Sequence, residues 1–187
     1  VVIRLTTPVR ELSMQQIKLK TLGYGLLLTL LLALAGCGSS QPQLQNGQPA
    51  PGFSLPRLEG GSADFPGGFA GQVVAIRFWA DWCPFCEEEM SDLEPVYREL
   101  KDRGLTILAV NVRQDADTAE RFIRDLGISY GVLLDEEGAV ARTYGVMGLP
   151  TTFFVDREGV LRAKILGEST PDVFTGIVNE LLAESPK

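Results

Sequence analysis

The stretch Ala80-Asp-Trp-Cys-Pro-Phe-Cys-Glu-Glu-Glu-Met90 places two cysteines three residues apart, behind a tryptophan and ahead of an acidic run. Cys83 and Cys86 could ligate a metal, form a passive cross-link or work as a redox pair. A four-coordinate zinc site needs two further Cys or His ligands. The chain has no histidine, and its third cysteine, Cys37, closes an N-terminal leader. No metal site is therefore expected. A purely structural disulfide over this spacing closes a loop too short to constrain much unfolded chain. A redox pair needs a thiolate with a second sulfur in reach. The apolar run Val73-Val-Ala-Ile-Arg-Phe-Trp79 reads as a central strand covered on both faces, and 84–103 as a helix. Cys83 then lies where a strand ends and a helix begins, beside unpaired N–H groups and a partial positive charge. Such a thiol loses its proton more readily: at a pKa of about 8.5 a few per cent is thiolate at neutral pH, and at about 7 it is half. Cys86, one helical turn on, can attack a mixed disulfide and release the substrate.

The absence of histidine also excludes Ser-His-Asp and Cys-His catalysis within the chain. The formal charge of −7 argues against nucleic-acid binding.

The elements that must hold the pair follow from periodicity and turn chemistry. Phe53–Leu58 alternates and turns at Gly60-Gly61, an edge hairpin that tolerates Pro56. In the helix over 84–103, Met90, Leu93, Val96, Tyr97 and Leu100 keep the 3–4 spacing, and Pro95 interrupts the hydrogen-bond ladder. Strands are expected at 105–111, 132–134, 151–155 and 160–166, with helices at 118–126, 138–144 and 171–182. Asp156-Arg-Glu-Gly159 reads as a hairpin turn. Alternating strands and helices, then a terminal hairpin and helix, imply an α/β fold: a mixed central sheet with helices on both sides. With 187 residues, one sizeable core is expected.

The N-terminal region reads as an address rather than as fold. Lys18 and Lys20 precede an apolar run from Leu22 to Cys37, shorter than the roughly 20 residues a spanning helix needs. Its end, Leu34-Ala-Gly-Cys37, resembles the bacterial lipoprotein signal, which implies lipid on Cys37 and an extracytoplasmic, membrane-anchored protein. Met14 is the better start, so 1–36 is taken as an over-extended start plus signal peptide. Four of the 17 basic and one of the 24 acidic residues precede Cys37, leaving 13 and 23, a net of −10. That surface repels anionic headgroups, so membrane residence depends on the lipid. Residues 37–51, ending in the Gly-, Pro-, Ser- and Gln-rich stretch 38–51, read as a flexible tether reaching roughly 20 Å. The folded domain is expected over 52–187.

Phe78-Trp-Ala-Asp-Trp-Cys-Pro-Phe-Cys86 followed by Gly148-Leu-Pro-Thr-Thr-Phe153 resembles the thioredoxin superfamily, and more closely its exported ResA/TlpA/CcmG-type thiol–disulfide oxidoreductases. Pro51–Leu55 looks like the N-terminal hairpin of that branch, Asp115–Leu134 like its central helix-strand insertion, and Glu87–Met90 like its acidic-Met sequence. The resemblance implies a thioredoxin-like fold in which Cys83 is the exposed nucleophile, Cys86 the resolving thiol and Pro150 a cis-proline. Trp82, Pro84, Leu149 and Pro150 would bind substrate, Leu149 pairing its backbone with an extended substrate strand. Glu89, three after Cys86 on one helix face, would take or give the proton as Cys86 reacts. Arg77 departs from the family, which has aspartate or asparagine there. An arginine on a central strand must be paired or must snorkel to the strand end. Either it does the latter, or it pairs with Glu89 and tunes the thiols. Trp79 is expected in the core and Asp81 in a solvated loop.

The resemblance further implies a monomer with no cofactor beyond the redox-active disulfide. It would reduce disulfides of exported proteins, including apocytochrome c, and be recharged by a membrane thiol reductant of CcdA/DsbD type. A disulfide-forming oxidant is the nearest rival. A thiol peroxidase carries Pro and Thr or Ser before its reactive cysteine, where this chain has Ala80-Asp-Trp82. A copper-delivery module uses a distal histidine.

Overall fold

The computed structural model describes residues 44–184. The leader, Cys37 and the first part of the expected tether lie outside the described residues.

Strands β3 (Val73–Trp79), β4 (Leu105–Val112), β5 (Gly131–Asp135), β6 (Thr151–Val155) and β7 (Leu161–Leu166) form one sheet in the order β5-β4-β3-β6-β7. β3 runs parallel to β4, and β4 to β5; β6 is antiparallel to both β3 and β7. Every residue of β3 and β6 is buried, as their apolar runs predict, whereas β7 at the edge alternates. A separate hairpin pairs β1 (Phe53–Pro56) with β2 (Ser62–Phe65), and Gly60 and Gly61 make the turn at positive φ. The hairpin is tied to β5 by the Leu58 N–H donating to the Val132 carbonyl at 2.9 Å.

Residues alternate across β3. Val73, Ala75 and Trp79 join a core under α1 (Cys86–Leu100), α2 (Ala116–Ile123) and α4 (Pro171–Ala183), with Met90, Leu93, Ala119, Phe174 and Val178. Val74, Ile76 and Phe78 face the other way, against the hairpin and α3 (Ala139–Thr143), with Leu55, Phe65 and Ala141. Tyr144 seals that side and donates its hydroxyl to the Pro51 carbonyl at 2.6 Å.

α1 begins at Cys86, two residues later than the pattern predicts. Pro84 and Phe85 form a turn closed by the Cys86 N–H on the Cys83 carbonyl at 3.1 Å. Glu87, Glu88 and Glu89 fill its first turn, where the helix dipole favours anions. Pro95 is accommodated inside the helix, and Gly104, in the left-handed region, ends the turn that follows. α2 starts two residues before the expected 118 because Asp115 caps it, accepting from the Thr118 N–H at 2.8 Å. α4 opens with Thr170 as cap and Pro171 in its first turn.

The tether expected over 38–51 does not run to Pro51. The Gly47 N–H donates to Leu161, Leu161 donates to Gln48, and the Ala50 N–H donates to Gly159, at 2.7–2.9 Å. Pro49 bridges Val160 in antiparallel sense, and Ala50 is buried. Composition suggested a free chain, but backbone groups need no hydrophobic pattern to pair.

Candidate active site

β3 delivers Trp79 to the rim of the sheet, and the chain turns through Ala80–Phe85 into α1. Cys83 and Cys86 are disulfide-bonded across that turn, their Cα atoms 5.4 Å apart. Cys83 precedes the first helical residue by three and stands at the positive end of α1. It is only 2% exposed, so in the oxidised protein it is not the exposed sulfur that the resemblance implies. With the disulfide formed, it lies in the core cluster that also holds Cys86, Trp79 and Met90. Neighbouring Trp82, Pro84 and Phe85 are exposed.

The loop before β6 arrives at the same end of the sheet, since Thr151 registers with Phe78. The Leu149–Pro150 bond is cis. Leu149, half-buried, packs against the cluster containing both cysteines; Pro150 is buried, and its carbonyl accepts from the Gly167 N–H at 2.9 Å. The Thr151 hydroxyl donates to the Gly148 carbonyl at 2.7 Å, fixing the loop's entry to the strand. Trp82, Phe85, Met147 and Leu166 are large apolar side chains left exposed. Of these, sequence reasoning found Trp82 alone. Met147 stands two residues before Leu149, and that proximity was the available signal.

Beneath Cys86 lies a buried ion pair. Arg77, fully buried on β3, does not snorkel: its Nη1 donates to Glu89 Oε1 at 2.6 Å and to the Thr152 hydroxyl at 3.2 Å. The Ser169 hydroxyl donates to the same Glu89 oxygen at 2.9 Å. Desolvating two charges is costly, and leaving either without the other costs about 3–5 kcal/mol. The two residues therefore depend on each other. Tyr130 stands nearby and donates to the Met90 carbonyl at 2.7 Å. Burial pushes its phenol well above its usual range; Arg77 pulls it partly back, and Glu94 and Glu89 add to the rise. It stays neutral at any working pH.

Asp81 is exposed but not free, because its backbone N–H and carboxylate both bind the Gln114 side chain. Thr152 and Ser169 were assigned no role from sequence. They stand 75 and 80 positions from their partners, beyond any local pattern. No group of three or more Cys, His, Asp or Glu able to hold a metal occurs among the described residues.

The arrangement can exchange a dithiol for a disulfide: a buried sulfur pair at a helix mouth, a carboxylate below it and an apolar rim around it. Comparison with known proteins agrees. The AhpC/TSA family matches residues 46–164. The thiol–disulfide oxidoreductase ResA of Bacillus cereus is 31% identical over 137 residues, 73% of this chain and 79% of the relative. ResA of Geobacillus thermodenitrificans is 33% identical over 151 residues, covering 76% and 86%. A solved structure from Chlorobium tepidum, assigned as a thiol:disulfide interchange protein DsbE, superposes with a TM-score of 0.71 at 29% identity, over 75% of this chain and all of that one. The chain belongs to the AhpC/TSA family, and it is a thioredoxin-like thiol–disulfide oxidoreductase of the ResA and DsbE type.

Proposed function

We propose that the protein works outside the cytoplasm, anchored by lipid on Cys37, as a reductant of disulfides in exported proteins, with apocytochrome c as the candidate substrate. The observation that carries the reading is the Cys83–Cys86 pair at the mouth of α1, with Glu89 one turn below Cys86. Reduced Cys83 attacks a substrate disulfide as thiolate, forming a mixed disulfide and releasing one substrate thiolate. Cys86 passes its proton to Glu89 and attacks the Cys83 sulfur, which frees the second substrate thiolate and restores the Cys83–Cys86 bond. The substrate gains two electrons and the enzyme dithiol loses two. A membrane thiol reductant of CcdA/DsbD type returns them. Trp82, Pro84 and Leu149 form the surface that receives the substrate chain, which docks as an extended strand, and the buried Pro150 sets the turn behind Leu149. The protein acts as a monomer.

Support for the export reading comes from the leader sequence, and the reducing direction is what the resemblance of the motifs to the exported branch implies. The test is capture in the native host with Cys86→Ala, which keeps the nucleophile and removes the resolving sulfur. Exported cysteine proteins are expected as mixed disulfides on Cys83. Recovery of cytoplasmic proteins alone would overturn the location. Equilibration of the wild type with glutathione checks direction: a potential near −120 mV, the oxidant end of such folds, would reverse it.

A further inference from the structure

Arg77 is used by nothing in the exchange reaction as written, yet it occupies the most expensive position in the sheet: a guanidinium at 0% exposure on the central strand. Only its Nη1 is engaged, by Glu89 and Thr152; Nε and Nη2 are buried without partners, as is Glu89 Oε2. An ion pair kept solely for stability would be expected to satisfy those atoms.

The charges around Glu89 explain what the cation does. A cavity of about 320 Å³ opens beside it, lined by Glu88, Glu89, Asp92, Glu168, Ser169, Thr170 and Pro171. Its acidic neighbours are Glu88 and Asp92 from α1 and Glu168 from the α4 side, while Glu94, with Arg77 and Glu89, acts on nearby Tyr130. Thr152 on β6, Ser169 before α4 and Tyr130 before β5 present neutral hydroxyls. A Cys86 thiolate formed next to a Glu89 carboxylate would place two negative charges in one desolvated layer. Counting only the Cys86 thiolate, Glu89 and Arg77, the cation brings two negative charges down to one.

We propose that Arg77 is a positioning residue for the resolving step: it fixes Glu89 under Cys86 as a carboxylate and supplies the charge against which the Cys86 thiolate forms. This rests on the reading above that Glu89 accepts the Cys86 proton. The proton leaves Cys86 Sγ for Glu89 and then passes through the cavity to water. The Cys86–Cys83 bond forms as the Cys83–substrate bond breaks. Arg77 therefore moves the acid limb of resolution, not that of the first attack.

Ellman's reagent separates the two steps. One chromophoric thiolate leaves when Cys83 attacks and a second when Cys86 resolves. In Arg77→Asn the acid midpoint of the second phase is expected to rise by about one pH unit or more. Resolution below the wild-type midpoint then slows about tenfold or more, with the first phase unmoved. Arg77→Lys is expected to restore most of the shift, and Glu89→Gln to slow the second phase at every pH. An unmoved second-phase midpoint in Arg77→Asn, with Glu89→Gln still slow, would overturn the role of Arg77 and leave that of Glu89. A fast second phase in Glu89→Gln would instead overturn the proton-acceptor reading itself. Should Arg77→Asn not fold, carbon NMR of the Glu89 carboxyl in reduced wild-type protein decides. A carboxylate across neutral pH is expected, and protonation near neutrality would refute the proposal.

Discussion

Trp82 flanks the nucleophile and is 68% exposed, an unusual state for the largest apolar side chain. Its exposure means that Trp82→Ala removes little from the fold, a change within about 0.5 kcal/mol. Aromatic anchors at the centre of a contact carry much of its energy. Trp82→Ala is therefore expected to raise KM for a protein disulfide about tenfold while leaving the rate with a small-molecule disulfide nearly unchanged. Equal loss on both substrates would place Trp82 in the chemistry rather than in docking. At this scale the sequence was most legible where function needs fixed spacing. Cys83, Cys86 and the Leu149-Pro150 dipeptide stand out because their geometry depends on near neighbours. The partners of Arg77 were half legible: Glu89 follows from helix spacing, but Thr152 and Ser169 converge through tertiary structure. The burial of Cys83 was not legible, since it depends on how the turn before α1 packs into the core.

Elements with two covered faces announced themselves as apolar runs, so β3, β4 and β6 were found nearly to the residue. Helix ends moved where side chains cap them, as Asp115 does for α2. A second device holds α1. Glu94 is buried, accepts from the Ser129 N–H and hydroxyl at 2.7 Å each, and pairs with Arg98 at 2.5 Å. Burial by itself raises this carboxyl, but the two Ser129 bonds and Arg98 outweigh it and hold its pKa below 4.5. A depressed carboxylate contributes stability above its unfolded pKa, and that contribution is lost as pH falls through the lower folded value. Glu94→Gln is expected to cost about 1–3 kcal/mol at neutral pH by denaturant unfolding. The deficit relative to wild type should shrink on acidification below about pH 4. A constant deficit would show that Glu94 acts by packing alone. Thr170→Ala, which removes the α4 cap, should cost about 1 kcal/mol.

For the molecule as a whole, the segment that docks on Gly159–Leu161 makes the fold longer than its apolar pattern suggested. Gln48, Pro49 and Ala50 carry no periodic signal, so only the folded backbone reveals them as structure. A chain beginning at residue 51, which keeps the Pro51 acceptor of Tyr144, loses the three backbone hydrogen bonds to Gly159 and Leu161 and is expected to be less stable by about 1–3 kcal/mol in urea. No change in midpoint would mean that the segment rests on the surface without holding it.

The same segment gives the domain a direction. Leu161 opens β7 and Leu166 closes it beside the cis-proline loop, so the entering chain and the sulfur pair lie at opposite poles, about 17 Å apart along the strand. Whatever pulls on residues 47–50 therefore pulls from the pole that faces away from the sulfurs and leaves the reactive end uncovered.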